Sequence, residues 1–168
     1  MTVVVMSPEE AAWQAGIVDG EGCLTIARQI RKNRPSPAFR VTIQVANTNV
    51  DLLDPFVQAW GGNLYNHKEF RNEWADAYTW HCPDAKAKLF LETMLPYLRG
   101  KDKQAKLLLA FIADKKKFNR HPIGKGKGSA PLGAEEIAWR ESVWKKVRSL
   151  NSKGQYARSL SKEVTHAT

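Results

Sequence analysis

The chain has 168 residues, 43% of them hydrophobic, with a mean hydropathy of −0.45; it is long enough for one sizeable core, and general disorder is excluded. Twenty-six Lys and Arg against 17 Asp and Glu leave a formal charge of +9, which asks for an anionic partner, nucleic acid before a membrane surface. No apolar run of roughly 18 residues occurs, which excludes a membrane-spanning helix.

The stretch Met1-Thr2-Val3-Val4-Val5-Met6 is too short for the apolar region of a secretory signal and lacks a basic flank. Ser7-Pro8-Glu9-Glu10 is a capping box that opens a helix over about 8–19. Ala12, Gly16 and Gly20, four apart, share one helix face, so short of side chain that two backbones can approach closely. The helix closes in Asp19-Gly20-Glu21-Gly22 and passes straight into a β-run. A Gly-Glu-Gly after a helix also serves as a plain C-cap, with glycine supplying a positive φ. The capping box, the small stripe and the immediate strand set Glu21 apart from that plainer role.

A first strand is predicted over 23–31, with Leu24, Ile26 and Ile30 on one face and Thr25, Ala27, Gln29 and Arg31 on the other; Arg28 breaks the alternation on the apolar side. Pro35 and Pro37 mark the turn that follows. A second strand over 38–46 turns Phe39, Val41, Ile43 and Val45 inward and Arg40, Thr42, Gln44 and Ala46 outward. Asn47-Thr48-Asn49 offers caps for a helix over about 50–60, in which Pro55 marks a kink or the true first turn, and Gly61-Gly62 ends it.

A second hairpin is predicted over 63–69 and 75–82 with its tip near Arg71-Asn72. Tyr78, Trp80 and Cys82 point inward, while Ala77, Thr79 and His81 share the outer face with Asn66 and Lys68. Cys23 and Cys82 lack CxxC or CxxH company, so they read as buried free thiols of a reducing compartment, not zinc ligands. Asp84 caps a helix that runs to about Leu95 and is ended by Pro96; the next, over about 102–118, buries Leu107, Leu108, Phe111 and Ile112. Gly124–Ser129 is a basic flexible loop, a strong helix covers about 134–150, and Asn151-Ser152-Lys153-Gly154 turns the chain into a short terminal helix.

The order is α-β-β-α-β-β-α followed by helices, an α+β fold in one domain over 1–168: a core at about 8–118, a basic glycine-rich loop at about 119–133, and C-terminal helices at about 134–163. Two hairpins make a four-stranded antiparallel sheet with helices on one side. Residues 99–128 hold ten Lys and Arg against Asp102 and Asp114, and 28–40 hold five with no acid. A charge run also makes an ordinary solvated face, and any antiparallel sheet keeps one polar face. Those alternatives account for the polarity but not for the shortage of acids.

These features resemble the LAGLIDADG homing endonucleases, whose motif is a helix closing in (V/I)-D-G-(D/E)-G. The resemblance spans about 8–160 and is closest to the single-motif, intron-encoded, homodimeric subgroup. It is carried by the motif at 12–22, by Gln44-Val45-Ala46-Asn47, by Pro96-Tyr97-Leu98-Arg99-Gly100-Lys101-Asp102-Lys103-Gln104-Ala105, and by Ser149-Leu150-Asn151-Ser152-Lys153. It implies a nuclease in which Glu21 and the Gly20 carbonyl bind Mg2+ (or Mn2+, with Ca2+ in a non-cleaving complex). Asn47 would place the hydrolytic water, and Lys101, with Lys103 as the fallback, would sit by the scissile phosphate. Gln29, Arg31, Arg40, Thr42, Gln44, Asn66, Lys68, Thr79, His81 and Lys153 would contact double-stranded DNA. Ala12, Gly16 and Gly20 would pack about a two-fold axis, since a single motif must be doubled to cut both strands. Two positions depart from the pattern: the acid is Glu21 where many members have Asp, and Asp51 stands where a supporting cation is common.

The same fold also serves intron RNA maturases and non-catalytic DNA-binding regulators. A basic RNA-binding module would want aromatic side chains on the outer sheet face, and the alternation puts none there. No membrane and no small-molecule substrate are expected, and the chain is expected inside a prokaryotic cytoplasm or an organelle matrix.

Overall fold

The computed structural model describes residues 6–32, 34–67, 76–118 and 131–152. Lys68, the hairpin tip near Arg71-Asn72, the glycine loop, Lys153 and the expected terminal helix lie outside the described residues.

Helix α1 (Pro8–Glu21) opens as its capping box demands, with Ser7 Oγ accepting the Glu10 N–H at 3.2 Å. It runs two residues further than its sequence suggests, so that Glu21 is its last residue and Gly22 the first of β1 (Gly22–Gln29). Strand β2 (Ala38–Asn47) pairs antiparallel with β1 from Gly22 opposite Val45 to Gln29 opposite Ala38. The ladder stops there because its next rung on β2 would be Pro37, which has no N–H to donate. Ile30, expected on the apolar face, is therefore 74% exposed, and Arg31 lies beyond the strand, donating to Gln29 Oε1 at 3.2 Å.

A 3-10 turn at Val50–Leu52 leads to α2 (Asp54–Trp60), so Pro55 does mark the true first turn. Strands β3 (Asn63–His67) and β4 (Ala77–His81) form the second hairpin, and β4 pairs with β2, giving the sheet order β1-β2-β4-β3. Helices α3 (Ala87–Met94), α4 (Asp102–Asp114) and α5 (Ala134–Asn151) complete the described chain. Asp84 does not cap α3; it sits in a preceding 3-10 turn and its carboxylate pairs with Arg40 Nε at 3.2 Å.

The helices cover one sheet face. Leu24, Ile26, Phe39, Ile43, Val45 and Trp80 project from it onto Phe56, Trp60, Phe90, Leu91, Met94, Leu108 and Phe111, all buried. Tilted and edge-on aromatic contacts fill the centre, with ring centroids 5.1 Å apart for Phe56–Trp80 and 5.0 Å for Trp60–Phe90. Leu107 and Ile112, expected in the core, pack against it half-buried. The two cysteines are free thiols, half-buried rather than fully enclosed.

Arg28, anomalous as a basic residue on the apolar side, is explained by α5. Its guanidinium reaches Glu141 Oε1 at 2.7 Å and lies 5.7 Å from the centre of the Trp144 ring. That face of β1's end is roofed by a helix carrying a matched acid and an aromatic ring.

Candidate nucleic-acid interface and acidic helix end

Opposed residues in an antiparallel ladder share a face, so the register assigns the outer face directly. It carries Thr25 and Gln29 from β1; Arg40, Thr42 and Gln44 from β2; Thr79 and His81 from β4; and Asn63, Tyr65 and His67 from β3. None of these is buried. Asn66 is opposite Tyr78 and so lies on the helix side, not on the outer face as its sequence parity suggested. The parity of β3 is set by Leu64 pairing with the buried Trp80, which puts Tyr65 outward.

Tyr65, 47% exposed, meets His81 edge-on with ring centroids 5.0 Å apart, so the outer face does carry an aromatic side chain. With Asn66 and Lys68 expected outward, the sequence put β3 one residue out of phase and so turned Tyr65 inward. The Arg40 guanidinium is held by Asp84 at the margin of this face.

Helix α1 presents two faces. Ala11, Gln14, Ala15 and Val18 are buried, with Gln14 accepting the Trp60 indole N–H at 2.8 Å and donating to Glu10 Oε1 at 2.9 Å. Ala12, Gly16 and Gly20 are exposed, and a Cβ built on Gly16 or Gly20 meets nothing within 4 Å. Gly22 is different. Its φ of −81° is extended, so no left-handed backbone requires glycine here. A Cβ would stand 2.5 Å from the Val18 carbonyl oxygen; the helix-to-strand junction is too tight for any side chain.

The last turn of α1 contains no basic residue, and the carbonyls that end a helix have no partner within it. Lys101, from the loop between α3 and α4, supplies the cation: its Nζ donates to the Asp19 carbonyl oxygen. The Asp19 carboxylate in turn accepts the backbone N–H groups of Arg99 at 2.7 Å and Lys101 at 2.9 Å. Burial lowers the Lys101 pKa below the ordinary lysine value of 10.5, against the opposing charges of Asp19, Cys23 and Glu21. Burial raises the Cys23 thiol, with the Lys101 charge and a hydrogen bond with Gln44 acting the other way.

Lys101, Asp19, Glu21 and Cys23 therefore meet at one corner of the sheet. Lys103 is exposed, and its charge falls on Asp102. With Gly22 opposite Val45, Asn47 lies at that same end of the sheet; its Oδ1 accepts the Asn49 N–H at 2.8 Å. Asp51 is exposed, in the turn capped by Asn49. The Asn151 amide donates to the Leu24 carbonyl at 2.9 Å and its Oδ1 accepts from Gln104 at 3.2 Å. This bond network anchors the end of α5 and the start of α4 to β1.

Among the described residues no group of three His, Cys, Asp or Glu gathers to hold a metal ion. What this corner offers is the exposed Glu21 carboxylate with the Gly20 carbonyl beside it at the helix end, hard oxygen donors of the kind that suit Mg2+ or Ca2+. Among the same residues no helix is long and apolar enough to cross a membrane.

No protein-family model and no curated relative matches the chain. Solved structures do. The homing endonuclease I-CvuI, in complex with the I-CreI target in the presence of Mg with the DNA not cleaved, superposes with a TM-score of 0.63 at 23% identity, over 95% of this chain and 97% of that one. The archaeal intron-encoded homing endonuclease I-Vdi141I, complexed with DNA, gives a TM-score of 0.65 at 12% identity, over 87% and 86%. The LAGLIDADG meganuclease I-AabMI, bound to uncleaved DNA, gives 0.60 at 14% identity, over 86% of this chain but 48% of that one. Element order, sheet order and these superpositions agree: the chain has the LAGLIDADG homing endonuclease fold.

Proposed function

We propose that the protein is a site-specific double-strand DNA endonuclease that uses divalent metal ions and acts as a homodimer on a long, roughly palindromic target. The observation that carries this reading is the proximity of an exposed carboxylate, Glu21, to the Lys101 ammonium held on the Asp19 carbonyl, at the corner of a sheet whose outer face is polar and nearly free of acids. A polyanion can lie across that sheet, and the corner then meets its backbone.

Glu21 and the Gly20 carbonyl would hold the metal, Mg2+ or Mn2+, with Ca2+ supporting binding without cleavage. The ion supplies an activated water and charge for the leaving oxygen. Lys101 stabilises negative charge growing on the phosphate, and the Asn47 amide orients the attacking water. Arg40 and Gln44 reach base edges from β2, with Gln29, Thr42, Thr79 and His81 beside them, while Lys153 grips phosphate. Cutting both strands needs two active sites and the chain carries one motif, so the exposed Ala12–Gly16–Gly20 stripe would pack against its copy about a two-fold axis and set two Glu21 side chains over the DNA. A chain that spans nearly all of I-CvuI and about half of I-AabMI fits such a half-site.

One observation favours a second reading, binding of intron RNA: the exposed Tyr65 beside His81 offers a stacking surface for an unpaired base. A duplex recovered by binding selection separates the two. With Mg2+ the wild-type chain should cut it, and Glu21→Gln, which keeps size and removes charge, should bind it normally and leave it intact. Normal cutting by Glu21→Gln overturns the assignment. Tight binding that single-stranded RNA displaces more readily than duplex DNA points to the RNA reading.

A further inference from the structure

We propose that Asp19 is the positioning residue of the site: it acts through Lys101, whose backbone and ammonium it holds at the end of α1. This deepens the proposed nuclease and rests on that reading. Three bonds converge on this one residue from a segment 80 or more positions away: its carboxylate accepts the Arg99 N–H at 2.7 Å and the Lys101 N–H at 2.9 Å, and its carbonyl accepts from Lys101 Nζ.

The segment so held has little else to fix it. Between α3 and α4 it has no ladder and no side-chain cap: Lys101 is the N-cap residue of α4, and its side chain makes no cap bond to that helix. Leu98 is buried and anchors one end, while Arg99 and Gly100 are exposed. A Cβ on Gly100 would only touch the Asp19 carboxylate, at 3.6 Å, so the geometry comes from the carboxylate and not from a glycine backbone. The two amide bonds set where the Lys101 Cα stands; the third sets where its ammonium rests. An ionised acceptor makes such bonds stronger than neutral ones.

A division of labour between neighbours follows. Glu21, exposed and without a protein partner in any described hydrogen bond, is available to an ion. Asp19, two residues earlier, is committed to the lysine loop.

The test is a double-mutant cycle on the full chain with the selected duplex. Asp19→Asn preserves shape but sets an amide N–H against one of the two backbone donors. Single-turnover cleavage should fall about ten- to a hundredfold, with DNA affinity unchanged. In a Lys101→Ala background the same substitution should change the remaining rate by less than about threefold, because its effect passes through the lysine. Hydrogen exchange at the Arg99 and Lys101 amides should quicken in Asp19→Asn, a readout independent of cleavage.

Equal fold-losses in both backgrounds would overturn the positioning role, as would unchanged amide exchange. Thermal unfolding of each variant is recorded alongside; Asp19→Asn that is unfolded at the assay temperature makes Asp19 a structural residue and also overturns it. If Lys101→Ala alone cuts like wild type, the nuclease assignment of Lys101 fails first, and the proposal with it.

Discussion

Cys82 directly follows β4, its N–H bonded to the Ile43 carbonyl at 3.0 Å and its Sγ donating to the Pro83 carbonyl at 3.7 Å. Burial, reinforced by the Asp84 carboxylate, pushes its thiol up to about 12 from 9.0. The thiolate is the reactive form, so at pH 8 Cys82 should react with iodoacetamide roughly a thousandfold more slowly than an unperturbed thiol, and at the ordinary rate once the protein is unfolded. The sign for stability follows. Between pH 9.0 and about 12 the unfolded thiol loses a proton that the folded one keeps, so Cys82 lowers stability as pH rises through that window and has no effect below it. Mass-resolved alkylation rates check the first statement; denaturant titration of wild type against Cys82→Ala across the window checks the second. Gln14 on α1 shows another residue-scale constraint. It is buried, and deleting its amide would strand the Trp60 N–H in the core.

The junction of α1 and β1 is where one element decides the next. Its tightness comes from the 2.5 Å that a Cβ on Gly22 would leave to the Val18 carbonyl, backbone against which nothing can rotate away. Gly22→Ala should cost about 1–3 kcal/mol of stability and displace Glu21 with it. Gly20→Ala, with nothing within 4 Å, should cost little in the monomer. Thermal unfolding of the two variants side by side checks the contrast; equal losses would mean the junction is looser than its geometry. The end of β1 illustrates the same dependence between elements. Arg28 is acceptable on the inner face only because α5 brings Glu141 and Trp144 over it.

For the whole molecule the consequential feature is the exposed stripe of α1, with Trp13, 39% exposed, beside it. If the active species is a homodimer built on this stripe, Gly16→Leu places a bulky side chain where two backbones should touch, an overpacking cost of roughly 1–3 kcal/mol or more per subunit. Sedimentation should then show monomer for Gly16→Leu and dimer for wild type; an unchanged dimer would place the interface on another surface. Loss of the dimer should also abolish double-strand cleavage while leaving the monomer folded, because the space around Gly16 is empty in the single chain.

Local chemistry by itself determined the element types and their order. A capping box, alternating apolar residues and the Pro35/Pro37 turn are short-range signals, and the acidic motif closing the small-faced helix was legible because its parts are close in sequence, although the helix itself runs on to Glu21. Tertiary structure alone decided what depends on distant partners. The outer-face assignment of β3 hung on one residue of phase, set by Leu64 meeting Trp80 across the ladder. The anomaly of Arg28 was resolved by a helix more than a hundred residues away. Asp19 looked like one more acid in a motif until the loop at 99–101 was folded against it, with backbone amides that no sequence pattern announces. Side-chain periodicity reports which face a residue occupies on its own element; it does not report what another element places opposite, and that juxtaposition is where the chemistry of this corner arises.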